Sequence, residues 1–221
     1  MIISSGRSYI FVHIPKTGGT ALSLALEARA MADDILIGDT PKAVKRRPRV
    51  KSLSAQGRLW KHSQLADIEG VVAREAFDDY FIFTLVRNPW DRIVSYFHWL
   101  QAQQWDHPAV RLAKASDFTT FLNAPETLRA LSVPYRSYVT DGAGVERAVL
   151  YARLEALEAD LAPLWTHLGF DLSPIERVNA STRARDFRGF YSDRDAQIVA
   201  RIAAEDIARF DYEFAPSASQ M

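Results

Sequence analysis

Between a short apolar run and a stretch rich in alanine and leucine, the chain places Pro15, Lys16, Thr17, Gly18, Gly19 and Thr20 in consecutive positions. Residues of these types in this order suit one task, the holding of an anion. Glycines admit positive φ and let a phosphate come close to backbone N–H groups. The positive end of a helix that starts at such a turn adds to the attraction. Thr17 and Thr20 can donate hydroxyls, and Lys16 brings a point charge. The nucleotide-triphosphate loop G-x-x-x-x-G-K-[ST] can be laid over residues 13–20, with Gly18 on its second glycine and Thr20 on its hydroxyl. Gly19 then stands where the lysine belongs and His13 where the first glycine belongs, so the cation sits inside the loop instead.

A second stretch departs from triphosphate chemistry in the same direction. Nucleoside triphosphatases hold Mg²⁺ with an acid that follows an apolar strand, whereas the apolar run Tyr80–Val86 ends on Arg87. A cation there repels a metal and attracts another anion. In "VRNPWDRIVSYF", Pro89 suits the first turn of a helix and Ser95 lies two turns into it. Arg87 and Ser95 can therefore hold a second phosphate, a nucleotide's length from the first. The expectation is an anionic nucleotide handled without a metal.

The elements that must position these residues alternate between strand and helix. Ser8–Ile14 reads as a buried strand bounded by Gly6 and Pro15, and Thr20–Ala32 as a helix. Asp33–Gln56 loses periodicity, and its basic segment Lys42–Lys51, broken by Pro41 and Pro48, reads as a loop. Ser63–Phe77 is helical in pattern, Tyr80–Val86 a central strand, and Trp90–Gln104 a helix with an apolar face. A third strand is expected at Ala148–Tyr151, then a helix ended by Gly169 and a last helix over Asp193–Arg209 with Ser192 as its N-cap. This order points to one α/β domain over residues 1–221, P-loop-like, in three layers: a central, mainly parallel sheet flanked by helices.

Charge and composition narrow the class. With 27 basic and 27 acidic residues no global field marks a nucleic-acid binder, and the lack of cysteine removes thiolate metal sites, cysteine nucleophiles and disulfides. No signal peptide is recognisable and no stretch approaches the roughly 20 apolar residues of a membrane span, so the expectation is a cytoplasmic protein, not an integral membrane one.

"HIPKTGGTAL" and "VRNPWDRIVSYF" together resemble the two cofactor-binding signatures of sulfotransferases that use 3′-phosphoadenosine-5′-phosphosulfate (PAPS). The closer similarity is to the carbohydrate branch, which includes heparan sulfate 2-O-sulfotransferases and bacterial relatives. "YARLEALEADLAPLWTHLGF" and "VNASTRARDF" resemble family positions more loosely, so the likeness covers most of the chain outside residues 33–56 and 106–144. The resemblance implies that residues 15–20 take the 5′-phosphosulfate, with Lys16 as catalytic cation, and that Arg87 and Ser95 take the 3′-phosphate. Arg183, in a later loop beside Arg185, is a further candidate for closing on the nucleotide. The acceptor it implies is a hydroxyl, expected on a glycan or glycolipid, with lipid and small-metabolite hydroxyls left open. Such a hydroxyl needs a base, and histidine titrates in the right range. His62, in "RLWKHSQLADI", lies in a segment comparable to that of the branch's catalytic histidine; His98 and His107 are runners-up, His13 reads as a structural residue under the loop, and His167 as surface or core. Two rivals stay open: a Mg²⁺-dependent kinase or NTPase, and a nucleotide-binding module without catalysis.

Overall fold

Strands that are apolar at every position must be covered on both faces, and the alternation of side chains sorts them into two cores. In the computed structural model, which describes residues 1–176, 178 and 183–214, the strands are β1 (Ile2–Ser4), β2 (Tyr9–Val12), β3 (Ile35–Leu36), β4 (Phe81–Val86) and β5 (Leu150–Arg153). The helices are α1 (Gly19–Ala28), α2 (Pro41–Lys51), α3 (Pro89–Gln101), α4 (Pro108–Ala115), α5 (Phe118–Asn123), α6 (Pro125–Leu131), α7 (Leu157–Asp160), α8 (Ala162–Leu168), α9 (Asp193–Ile202) and α10 (Ala204–Phe210). The strands form one sheet in the order β3-β1-β2-β4-β5. β2 pairs β4 and β4 pairs β5 in parallel, with Phe11 opposite Phe83 and Leu85 opposite Ala152. β1 runs antiparallel to both β2 and β3, which makes the sheet mixed.

The chain divides into two compact units, Met1–Val86 with Tyr135–Val178, and Arg87–Pro134 with the described residues from Arg183 on. In the first, Tyr9, Phe11, Phe83 and Leu85 face Leu22 and Leu26 of α1 and Leu161 and Leu164 at α8. Ile10, Val12 and Ile82 face the other way, onto Leu65, Ile68, Phe77 and Val139. α1 buries Gly19, Leu22, Ser23, Leu26 and Glu27, a single stripe at helical spacing. That stripe fixes the start of α1 against the sheet, directly after the loop that follows β2. In the second unit Trp90, Ile93, Val94 and Phe97 of α3 pack with Phe118 and Phe121 of α5 and Val199 of α9.

Three readings of the chain change. The segment 42–51 is helix α2, not a loop: Thr40 caps it by accepting from the Ala43 N–H at 3.2 Å, and Pro41 starts it. Pro48 lies inside α2 and removes one hydrogen bond. Three cations replace it as anchors: Lys42, Arg46 and Arg49 donate to the backbone carbonyls of Glu27, Asp34 and Ala32. Residues 63–77 fold not as a helix but as the 3₁₀ turns Ala66–Ile68 and Arg74–Asp79. The third strand begins two residues later than expected, at Leu150. Gly169 does end α8, at φ 73°, and Ser192 does cap α9.

Candidate active site

The loop after β2 is shaped by left-handed residues. Gly18, the N-cap of α1, has φ 87°, and Lys16 has φ 67°. Backbone turned this way gathers N–H groups into a concave anion site. A non-glycine residue in that region carries roughly 1–2 kcal/mol of strain, a cost tolerated mainly where function needs the geometry. Both glycines are required by their neighbours. A Cβ on Gly18 would lie 2.6 Å from Leu154 Cδ1, and one on Gly19 would lie 2.3 Å from His13 Cδ2. Thr17 is fully buried and its hydroxyl donates to the Ile14 carbonyl at 2.9 Å. Its hydroxyl proton therefore serves the turn. Pro15, Lys16 and Thr20 are half-buried, and Gly18 is exposed.

His13 supports the loop in two ways. Its ring lies under Gly19, and its carbonyl accepts from His62 Nδ1 at 2.8 Å. The two rings meet edge to face with centroids 4.8 Å apart, and Trp60 meets His62 likewise at 5.1 Å. A carbonyl only accepts, so Nδ1 of His62 carries the proton and the lone pair of the neutral ring is on Nε2. Burial is the main cause that lowers the His62 pKa to about 4. Burial holds His13 well below its ordinary value too. Both rings are neutral near pH 7.

Arg87, the first residue beyond β4, donates from Nε and Nη2 to Asp91 Oδ2 at 2.9 and 2.7 Å. Arg183 reaches the other oxygen of the same carboxylate. The three side chains are 13, 7 and 19 % exposed for Arg87, Arg183 and Asp91. Ser95 lies one helical turn after Asp91 on α3, on the same face. Asn88 accepts from the Trp90 and Asp91 N–H groups, capping α3 and fixing where this cluster begins. Asp91 escaped the reading of the chain, although its i+4 spacing from Arg87 was the available signal.

The other histidines have local duties. His98 Nδ1 bonds the Val94 carbonyl one turn back at 2.9 Å. His107 caps α4, accepting from Ala109 N–H at 3.2 Å. His167 bonds the Arg7 carbonyl and stacks on Phe81. Among the described residues no three His, Asp or Glu side chains are grouped so as to hold a metal ion, and no helix is long and apolar enough to cross a membrane.

Fold and loop together define an α/β protein with a left-handed glycine turn between a sheet strand and the first helix. A family model described as "Sulfotransferase family" matches residues 1–133, and the chain belongs to that family. The crystal structure of mouse sulfotransferase SULT7A1 complexed with PAP is similar at a TM-score of 0.55 and 19 % identity, over 95 % of this chain and 87 % of that one. At that identity the likeness establishes the shared fold. No curated protein matches the chain.

Proposed function

We propose that the protein transfers a sulfuryl group from PAPS to a hydroxyl of a carbohydrate, on a glycan or glycolipid, as in the carbohydrate branch of the family. The observation that carries this reading is the bond from His62 Nδ1 to the carbonyl of His13, because His13 also lies beneath Gly19 of the loop. A base with its lone pair on Nε2 is thereby tied to the anion cradle. The loop fits the group: left-handed Gly18 and Lys16 give it the concave backbone form that suits an anion such as a 5′-phosphosulfate.

PAPS supplies an activated sulfuryl group, whose bond to the 5′-phosphate oxygen breaks as the acceptor oxygen bonds to sulfur. His62 Nε2 takes the proton of the acceptor hydroxyl. Lys16 and the N–H groups of residues 17–20 stabilise the negative charge that grows on the departing phosphate oxygen. Pro15 sets the turn and Thr20 adds a hydroxyl. Arg87, Ser95 and Arg183 hold the 3′-phosphate, and catalysis is mainly placement and charge stabilisation.

Sulfur-labelled PAPS, incubated with a panel of glycans, glycolipids and small hydroxyl compounds, tests the reading. Label should pass to a carbohydrate, and Lys16→Ala should lower the rate by about 10²–10³-fold, the scale of a lost charge-stabilising donor. Phosphoryl transfer from ATP with Mg²⁺ would make the protein a kinase instead. Binding of 3′,5′-phosphoadenosine (PAP) without transfer to any member of the panel would make it a binding module.

A further inference from the structure

α2 and the segment Leu53–Lys61 enclose a groove of about 660 Å³, within the range of small-molecule sites. Its floor is aliphatic, made by Leu36, Ile37, Ala43, Val50, Leu53 and Leu59. Its rim is cationic, with Arg47 and Lys51 on α2 and Arg58 and Lys61 opposite. Trp60 stands at the edge, 42 % exposed, with the Arg58 guanidinium 5.4 Å from its ring centroid. The acid in the lining, Asp39, is held by Lys61 at 2.6 Å.

The two faces of α2 explain why the rim charges point into the groove. Lys42, Arg46 and Arg49 are spent on the carbonyls of Glu27, Asp34 and Ala32. Arg47 and Lys51, one turn apart, have no acidic partner among the described residues. Among the described residues the lining holds no Ser, Thr, Asn or Gln, so its polar character is carried by charged groups and Trp60. Ile37, Gly38, Asp39 and Lys61 also line a small cavity beside the loop, together with His13 and Thr20. Trp60 meets the His62 ring edge-on. Through Trp60 the edge of the groove lies beside the proposed base.

We propose that this groove is the acceptor site and that its occupant is an acidic amphiphile, a hydroxyl-bearing glycolipid whose hydrocarbon lies on the floor and whose carboxylate or phosphate meets Arg47, Lys51 and Arg58. The inference rests on the sulfotransferase reading and deepens it. A polyanionic glycan would use the rim and leave the floor uncovered. A neutral glycolipid would cover the floor and leave the rim unpaired.

The test uses the full chain and monomeric alkyl phosphates below their micelle concentrations, with binding read by tryptophan fluorescence and calorimetry. Dodecyl phosphate should bind at least tenfold more tightly than dodecyl maltoside or tetragalacturonate. Affinity should rise by about fourfold per methylene from octyl to dodecyl phosphate, the equivalent of burying each CH₂. Arg47→Glu with Lys51→Glu, and separately Arg58→Glu on the other wall, should each weaken dodecyl phosphate by roughly tenfold, as charge reversal near an anion demands. Equal or tighter binding of tetragalacturonate, the lack of any chain-length dependence, or binding to anionic vesicles alone would overturn the proposal. PAP-induced stabilisation of the same protein separates the two readings. Dodecyl phosphate binding without a PAP effect would remove the transferase reading while the groove stands, and a PAP effect without dodecyl phosphate binding would remove the groove.

Discussion

A backbone carbonyl cannot donate, and this decides which nitrogen of His62 is basic. With Nδ1–H committed to His13 at 2.8 Å, Nε2 is the atom that can receive a proton, and burial lowers the pKa to about 4. In the proposed role His62→Ala should reduce kcat by about 10²–10⁴-fold, the usual contribution of a general base, with PAP affinity close to wild type by calorimetry. The acid limb of kcat/KM should fall at an apparent pKa near 4 rather than near 6.5, since that limb reports the free protein. The same shift acts on stability. Protons bind His62 more weakly in the folded state, so its contribution is present above about pH 6.5 and is lost as pH falls through about 4. Urea unfolding at pH 7 and pH 4.5 should therefore show a shallower decline for His62→Asn than for wild type; an equal decline would remove His62 from the acid sensitivity. His62 was named from the chain as the candidate base, but its tautomer and burial were not legible there, because the partner that orients it is a backbone atom 49 positions away. Lys16 and the two glycines were legible, since proline, glycine and a lone cation in sequence describe a turn by themselves.

Elements were readable where their own residues define them, and obscured where distant groups stabilise them. β4 and α3 announce themselves by a continuous apolar run and by Asn88–Pro89. β1 and β3, of three and two residues, are too short to show a period, and without them the sheet reads as mainly parallel. α2 carries a proline at position 48, and the carbonyls that anchor its cations belong to residues 27–34. The arginine cluster around Asp91 of α3 has the same character: Asp91 joins Arg87 to Arg183, 92 positions away. Removing one partner from so enclosed an ionic group costs about 3–5 kcal/mol, because the remaining charges lose their compensation. Asp91→Ala should lower the urea-derived stability on that scale in the absence of nucleotide. If Arg87 and Arg183 bind the 3′-phosphate as proposed, the anion replaces the missing carboxylate, and PAP should raise the melting temperature of Asp91→Ala by more than it raises that of wild type. A smaller rise in the variant would mean that Asp91 orients the arginines for the ligand rather than merely neutralising them.

At the scale of the whole molecule the balance of 27 basic against 27 acidic residues leaves no net field to gather an anionic donor. Recognition must come from local arrangements, because surface charges are screened beyond about 8 Å at physiological ionic strength. The loop after β2, the Arg87–Asp91–Arg183 cluster and the rim of the α2 groove are the three arrangements proposed for it. The chain showed the first as a motif because its residues are consecutive, and of the second only Arg87 and its helix, since Arg183 lies 92 positions from Asp91. The third depends on which face α2 turns inward, which only the folded chain decides. Local recognition also separates the donor from its commonest mimic. ATP offers a triphosphate that normally travels with Mg²⁺, whereas PAP offers single phosphates at its 5′ and 3′ positions. A ligand that binds only the folded state adds RT ln(1 + [L]/Kd), about 2.7 kcal/mol at a hundredfold excess over Kd. For a domain of 150–250 residues each kcal/mol shifts Tm by about 2–4 °C. PAP at that excess should raise Tm by about 5–10 °C, and ATP with Mg²⁺ at the same concentration by less than 2 °C. Arg87→Ala should lose most of the PAP shift, since the 3′-phosphate is what the two nucleotides do not share. A larger shift with ATP and Mg²⁺ than with PAP would return the protein to the kinase reading, whatever the shape of its loop.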